Sequence, residues 1–374
     1  MKSIFWTIGL VLIMVSVGYG QSEVPFKATE NLESGQKLEL DTRSDDEGKS
    51  SNQMILAKQY QSLFLKSRDA AIDKNTKQIN TTEQAKLDVM VGEMEEQVPA
   101  SAEFHYVKYV NGNYDVTKVD HLHKAYQLSD NKTALYDDYI AYYELTQNES
   151  KKTEFCSKLY KSNSVPTGVM DYNYNVLMSL EKNSILFVNG SNDTYPIWMH
   201  QNVLNVRKDV TILNVDLLGV DAYRDKKLKT LGVSTKVNYN ADRIGFIKSI
   251  AKENPTKPIY FALTLTPEAI KGVKEHLFLT GLALKYSPKS IDNIPLLKKN
   301  WENSFQVASL DKAHTNSLVK KMNNNYILPL MLLSMSYKAQ GNVEQAMRLK
   351  TLALKIAKEG GKESQVNQYI QKQE

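Results

Sequence analysis

Cysteine is almost absent from this chain: Cys156 is the only one in 374 residues. A lone thiol excludes an intrachain disulfide and a cysteine-cluster zinc site, so stability has to come from packing, which this length permits. Blocks of like charge are missing as well. The 47 Lys/Arg and 42 Asp/Glu are interspersed, which removes the usual sequence sign of a nucleic-acid partner. Beyond the first twenty residues no apolar run is long enough to cross a bilayer, so no stable transmembrane span is expected. The chain also lacks a P-loop, G-x-G-x-x-G, G-x-S-x-G and H-E-x-x-H. No catalytic residue, metal ligand or cofactor is therefore nominated, and without a nucleophile–base pair an enzyme is the weaker reading.

What is present begins with an address. Lys2 precedes an apolar run from Ile4 to Val17, and Gly18 and Gly20 supply small residues before Gln21. This is the pattern of a cleavable signal peptide over 1–20, with an uncleaved anchor as the alternative. The expected destination is outside the cytoplasm. Residues 21–53 turn polar, ending in Ser44-Asp45-Asp46-Glu47-Gly48-Lys49-Ser50-Ser51, and read as a flexible linker.

Residues 54–165 read as helical. Leu56, Tyr60, Leu63 and Phe64 fall at helical spacing, and a second helix is expected over Glu83–Glu96, before Pro99. Paired helices turning at Asn111-Gly112-Asn113-Tyr114 and at Gln147–Ser150 follow the logic of tetratricopeptide repeats, whose period is about 34 residues. In 313–374, Leu330, Leu333, Tyr337, Gly341, Ala346 and Ala353 occupy the packing offsets of one such hairpin, followed by a polar tail. Cys156 is expected to be a buried structural thiol. His121 and His123 would point to different faces of one helix, and Asp137-Asp138 reads as a solvated helix face.

Between 166 and 312 the period changes. Ser184–Val188, Val210–Val215 and Pro258–Leu263 are short apolar runs, with helices expected over Thr194–Val206 and from Ala241 to Glu253. Strands alternating with helices imply α/β architecture, a parallel Rossmann-like sheet flanked by tetratricopeptide-like hairpins. Leu277–Tyr286 adds one or two further strands. Ligands in open α/β sheets collect beyond the carboxyl ends of the strands, close to helix N-termini. The candidate ligand-binding residues are therefore Asn189, Gly190 and Asp193 after the first strand, with Asn214 and Asp221 at and after the second. The competing reading is that Asn189 and Asp193 only fix a turn, since Asn, Gly and Asp are ordinary turn residues.

The run Ile185-Leu-Phe-Val-Asn-Gly-Ser-Asn-Asp-Thr-Tyr-Pro-Ile-Trp198, with Gln201 beyond it, resembles a signature in large envelope proteins of Bacteroidetes-type bacteria. Those proteins join a multi-spanning portion similar to protein O-mannosyltransferases to an exported C-terminal domain of unknown function. Val206–Val210, Asn214 with Leu217-Leu218, Asp221 with Tyr223, Pro258–Phe261, Gly281-Leu282 and Asn325-Tyr326 with Gly341 agree in the same order. Ser191 stands where that signature has Asp, and the membrane portion is missing. The resemblance implies a free-standing relative of the exported domain. It would be a non-catalytic scaffold with an envelope protein partner, or an accessory to surface glycosylation that binds a glycan or sugar nucleotide.

Overall fold

The computed structural model describes residues 46–73 and 78–371. The signal peptide expected over 1–20 lies outside the described residues, as does the linker up to residue 45. Helix α1 runs over Asp46–Ala71, so it begins inside the stretch read as linker. By packing, the described chain divides into two compact units, meeting between Phe155 and Cys156.

The first unit is helical. After α1 come α2 (Thr81–Gln97), α3 (Ala102–Val110), α4 (Val119–Leu128), α5 (Tyr136–Leu145) and the start of α6 (Glu149–Lys161). Leu56, Ala57, Tyr60 and Phe64 of α1 close on Leu87, Val91 and Met94 of α2 and on Phe104 and Val107 of α3. Side-chain caps set two of the starts: Asn80 accepts from the Glu83 backbone N–H (2.9 Å) and Ser101 from that of Phe104 (3.1 Å). The expected turns at 111–114 and 147–150 separate helices as read.

His121 and His123 do face different neighbours. His121 Nδ1 lies 2.9 Å from His105 Nδ1, while His123 stacks on Tyr139. Asp137 and Asp138, expected on a solvated face, are instead half-buried, and burial pushes both carboxyls up to about 7. The helix they open packs that edge inward, a placement that spacing within α5 alone does not reveal. Glu144 and Lys152 form a buried ion pair at 2.5 Å, with Glu149 as a second, exposed partner.

The second unit holds the sheet. Its elements are α7 (Thr167–Met178), β1 (Ile185–Val188), α8 (Ser191–Asn202), β2 (Thr211–Asn214), α9 (Asp221–Leu231), α10 (Arg243–Glu253), β3 (Ile259–Ala262), α11 (Pro267–Ile270), β4 (Leu277–Leu279) and β5 (Ala283–Tyr286). Helices α12 (Ile294–Asn303), α13 (Ser317–Asn323), α14 (Ile327–Ala339), α15 (Val343–Glu359) and α16 (Glu363–Gln371) follow. Cys156 is buried, as expected.

The architecture is α/β, and the sheet order is β2-β1-β3-β5-β4. Strand β1 pairs parallel with β2, Ile185 opposite Thr211, and parallel with β3, Ile185 opposite Ile259. Phe187 and Phe261 stack across that second pair at 5.2 Å. An all-parallel sheet is not what forms. Strand β5 runs antiparallel to β3 and to β4. The reason is connection length: only Thr280-Gly281-Leu282 joins β4 to β5, enough for a hairpin and far too short for a crossover. Gly281 is required at that turn, because a Cβ there would meet the Ser179 hydroxyl oxygen at 2.2 Å. Ser179 in turn accepts from the Leu282 backbone N–H (2.8 Å).

Helix α8 starts at Ser191, three residues before its expected start, with Gly190 as N-cap. Gly190 has φ 71° and ψ −179°, a backbone region reserved for glycine, and this lets the chain reverse directly from strand to helix. In the C-terminal hairpin, α14 and α15 pack through buried Leu330, Leu333, Ala346 and Ala353, with Gly341 at φ 79° making the turn.

Candidate functional site at the carboxyl edge of the sheet

The carboxyl ends of the three parallel strands are joined by side chains that follow them. Asn214, the last residue of β2, donates through Nδ2 to the Thr194 hydroxyl of α8 at 2.8 Å. Thr194 donates to the Gly190 carbonyl at 2.6 Å, so the end of β2 is linked to the turn after β1. The Asn214 Oδ1 accepts from the backbone N–H of Asp216 (2.8 Å) and of Leu217 (3.1 Å). Every polar atom of this buried side chain is thus committed.

Asp193 connects the third strand. It is 3 % exposed, and its Oδ2 accepts a short hydrogen bond from the hydroxyl of Thr264, two residues past β3. Burial pushes the Asp193 carboxyl up to about 7, against the lowering pull of the Thr264 hydroxyl and the Asn189 backbone N–H. Its other oxygen, Oδ1, is sealed from solvent and has no hydrogen-bond partner among the described residues.

Asn173 of α7 is the residue that sequence reasoning missed here. Pro196 lacks the N–H that would bond to the Asn192 carbonyl four residues back. Asn173 Nδ2 supplies that bond at 2.9 Å and also bonds the Val169 carbonyl at 2.9 Å. The Asn173 Oδ1 is buried without a partner, like Asp193 Oδ1. Two acceptor oxygens therefore lie unsatisfied around the first turn of a helix whose N-cap makes no side-chain bond. Such groups in a folded protein call for a water, an ion or a ligand group.

Of the five nominated residues, the hydrogen-bond chain takes in Gly190 and Asn214 directly, and Asp193 with the Asn189 backbone on the β3 side. Asp221 stands apart. It is exposed, pairs with Arg224 at 2.8 Å and accepts from Asn240 at 3.2 Å. The hydrogen bond from Arg224 holds its carboxyl below the usual range. Asp216, nearer the edge, is taken by Arg243 at 2.7 Å. Thr264 was within reach of sequence reasoning: it follows the third strand as Asn189 follows the first.

Several residues of the family-like signature have structural work. Arg207, at φ 47°, bonds the carbonyls of Leu177 (2.9 Å), Leu180 (2.7 Å) and Glu181 (2.7 Å), which closes the carboxyl end of α7. The same guanidinium holds Asp209, whose carboxyl falls to about 2. Gln201 donates to the carbonyls of Arg207 (3.0 Å) and Val210 (2.7 Å), fixing the path into β2. Tyr326 meets Asn175 of α7 at 2.7 Å.

Among the curated proteins nothing matches this chain. The part of the chain that carries the three-strand clasp on its β1 and β2 side is nonetheless recognisable: residues 169–249, from α7 into α10, match the model of the family described as TMEM260-associated domain 2.

Proposed function

We propose that the protein is an exported, non-catalytic interaction scaffold of the cell envelope, with tetratricopeptide-like hairpins beside a Rossmann-like α/β unit. The observation that carries this reading is a tyrosine surface on the helical unit. Tyr126, Tyr136 and Tyr143 are half-buried around the stacked, buried pair Tyr139 and Phe155, whose centroids are 4.3 Å apart. Each presents a rigid ring with a polar tip, the side-chain type enriched at protein interfaces. No helix of the described residues is long and apolar enough to cross a membrane, which fits a partner held outside the bilayer.

The test is affinity capture from envelope extracts with the full chain and with a Tyr136→Ala/Tyr143→Ala variant. A defined envelope protein retained by the first and lost from the second supports the reading. Recovery of the same proteins by both, or of none, counts against it.

A second reading, a glycan- or sugar-nucleotide-binding accessory, draws on Asp193 Oδ1 and Asn173 Oδ1. Acceptors beside the free N–H groups of a helix start suit a sugar hydroxyl, which both donates and accepts. Calorimetry with envelope glycans and sugar nucleotides, on the wild type and Asp193→Ala, separates the two readings.

A further inference from the structure

The 47 basic and 42 acidic residues look balanced along the chain, but the fold does not keep them so. The stretches 226–236 and 248–257 together hold seven lysines and a single carboxylate, Glu253. They are separated in sequence and joined in space. Asn254 Nδ2 donates to the Ser234 carbonyl (2.8 Å), the Ser234 N–H donates to Asn254 Oδ1 (3.1 Å), and Thr235 bonds Ser249 at 2.8 Å. These bonds bind the carboxyl ends of α9 and α10 together. Lys229, Lys236, Lys252 and Lys257 all emerge there exposed, with Lys226 one turn away. None of the five enters an ion pair among the described residues. Glu253 is half-buried and accepts from the Ser249 hydroxyl (2.8 Å).

Lysine in the last turn of a helix complements the helix dipole, and this accounts for Lys229 and Lys252. It does not account for Lys236 and Lys257, which lie outside both helices. Five exposed lysines against two nearby carboxylates, half-buried Glu253 and Asp225 before Lys226, leave an excess of positive charge that destabilises the free protein, so their gathering asks for an external anion.

We propose that the joined carboxyl ends of α9 and α10 form a docking surface for an acidic polysaccharide, a carbohydrate chain bearing carboxylate, phosphate or sulfate groups. The inference stands independently of the scaffold reading. Three features select this partner. The aromatic side chains of the region, Tyr223, Tyr239 and Phe246, are all buried, so no ring is offered for stacking on nucleic-acid bases. The exposed large apolar residues all lie elsewhere, so nothing here inserts into a bilayer. The exposed cations are lysines, strongly hydrated point charges suited to spaced anions along a chain rather than to a bidentate clamp.

The experiment uses the full chain with polygalacturonate as probe and neutral dextran as control, at 50–300 mM salt. Expected is binding to polygalacturonate alone. By counterion release each neutralised charge contributes about 0.7 to the slope of log K against log salt, so four lysines give about −3. Lys229→Gln/Lys236→Gln/Lys252→Gln/Lys257→Gln should weaken binding at least tenfold while the variant still unfolds in one cooperative transition, its midpoint moved only by the opposing effects of relieved repulsion and lost helix-dipole pairing. The comparison variant Lys289→Gln/Lys312→Gln/Lys338→Gln/Lys358→Gln alters the same charge at exposed sites elsewhere and should bind as wild type. Equal weakening by both variants would make the effect one of net charge and overturn the surface. Absence of binding at 50 mM salt would overturn it too. So would tighter binding to single-stranded DNA, or to vesicles of phosphatidylcholine with 30 % phosphatidylglycerol.

Discussion

Replacing Asp193 by Asn should remove a pH dependence from the α/β unit. Burial raises the folded carboxyl from 3.8 to about 7. Between those values the native state holds a proton that the unfolded chain has released. Stability therefore falls as pH rises through this window and levels off above about 7. A full proton difference is worth about 1.4 kcal/mol per pH unit, and since the folded carboxyl is half ionised at about 7, the span from pH 5 to pH 7 amounts to about 2 kcal/mol. Asn keeps the shape and can accept from Thr264 but does not titrate. The comparison is urea unfolding of both proteins at pH 5, 6, 7 and 8, followed by tryptophan fluorescence. Trp198 and Trp301 both lie in the α/β unit, and Trp6 falls within the expected signal peptide, so the signal reports on the right unit. Asp137 and Asp138 also titrate near 7, but they are common to both proteins and cancel in the difference. If the two stability profiles run parallel from pH 5 to pH 8, Asp193 is not a buried, proton-holding carboxyl and the clasp has been misread.

Asn214→Ala removes three hydrogen bonds at once and strands buried partners, so it should cost about 2–4 kcal/mol in thermal unfolding. A cost below about 0.5 kcal/mol would mean that the strand ends are held by something else. Lys152→Met removes the ammonium that pairs with the buried Glu144 carboxylate at 2.5 Å, an expected loss of about 3–5 kcal/mol, while adding Glu144→Leu should recover much of it. A double variant no better than the single one would contradict that account. His105 and His121 are both held below 6.5, first by burial; His121, Lys124 and Lys108 lower His105 further, while Lys108, Lys124 and Lys118 lower His121 against the opposing Glu95. The native pair thus binds fewer protons than the unfolded chain, and the helical unit should lose stability as pH falls below about 6.5. Imidazole resonances that titrate at or above 6.5 would refute this.

Much of the fold was legible because its signals are local. Ile185–Val188 and Ile259–Ala262 are continuous apolar runs, and strands buried on both faces need just that. The hairpin of α14 and α15 showed itself through Gly341 and the small Ala346 and Ala353. Residues beyond strand ends marked the edge where Asp193 and Asn214 are found. The antiparallel β5 was not legible, since a run of apolar residues carries no direction and only the three-residue link to β4 imposes one.

Sequence alone decided what this chain can be made of: strands where apolar runs are short, helices where the spacing is near 3.6, a glycine turn at Gly190, and packing rather than disulfides. Tertiary structure decided which groups meet. It brought Thr264 to Asp193 and Asn173 to the carbonyl freed by Pro196, and it gathered lysines from two stretches onto one surface. Hydrogen bonds and electrostatic fields depend on distance through space, and residues 71 apart in the chain, as Asp193 and Thr264 are, carry no local sign that they will touch.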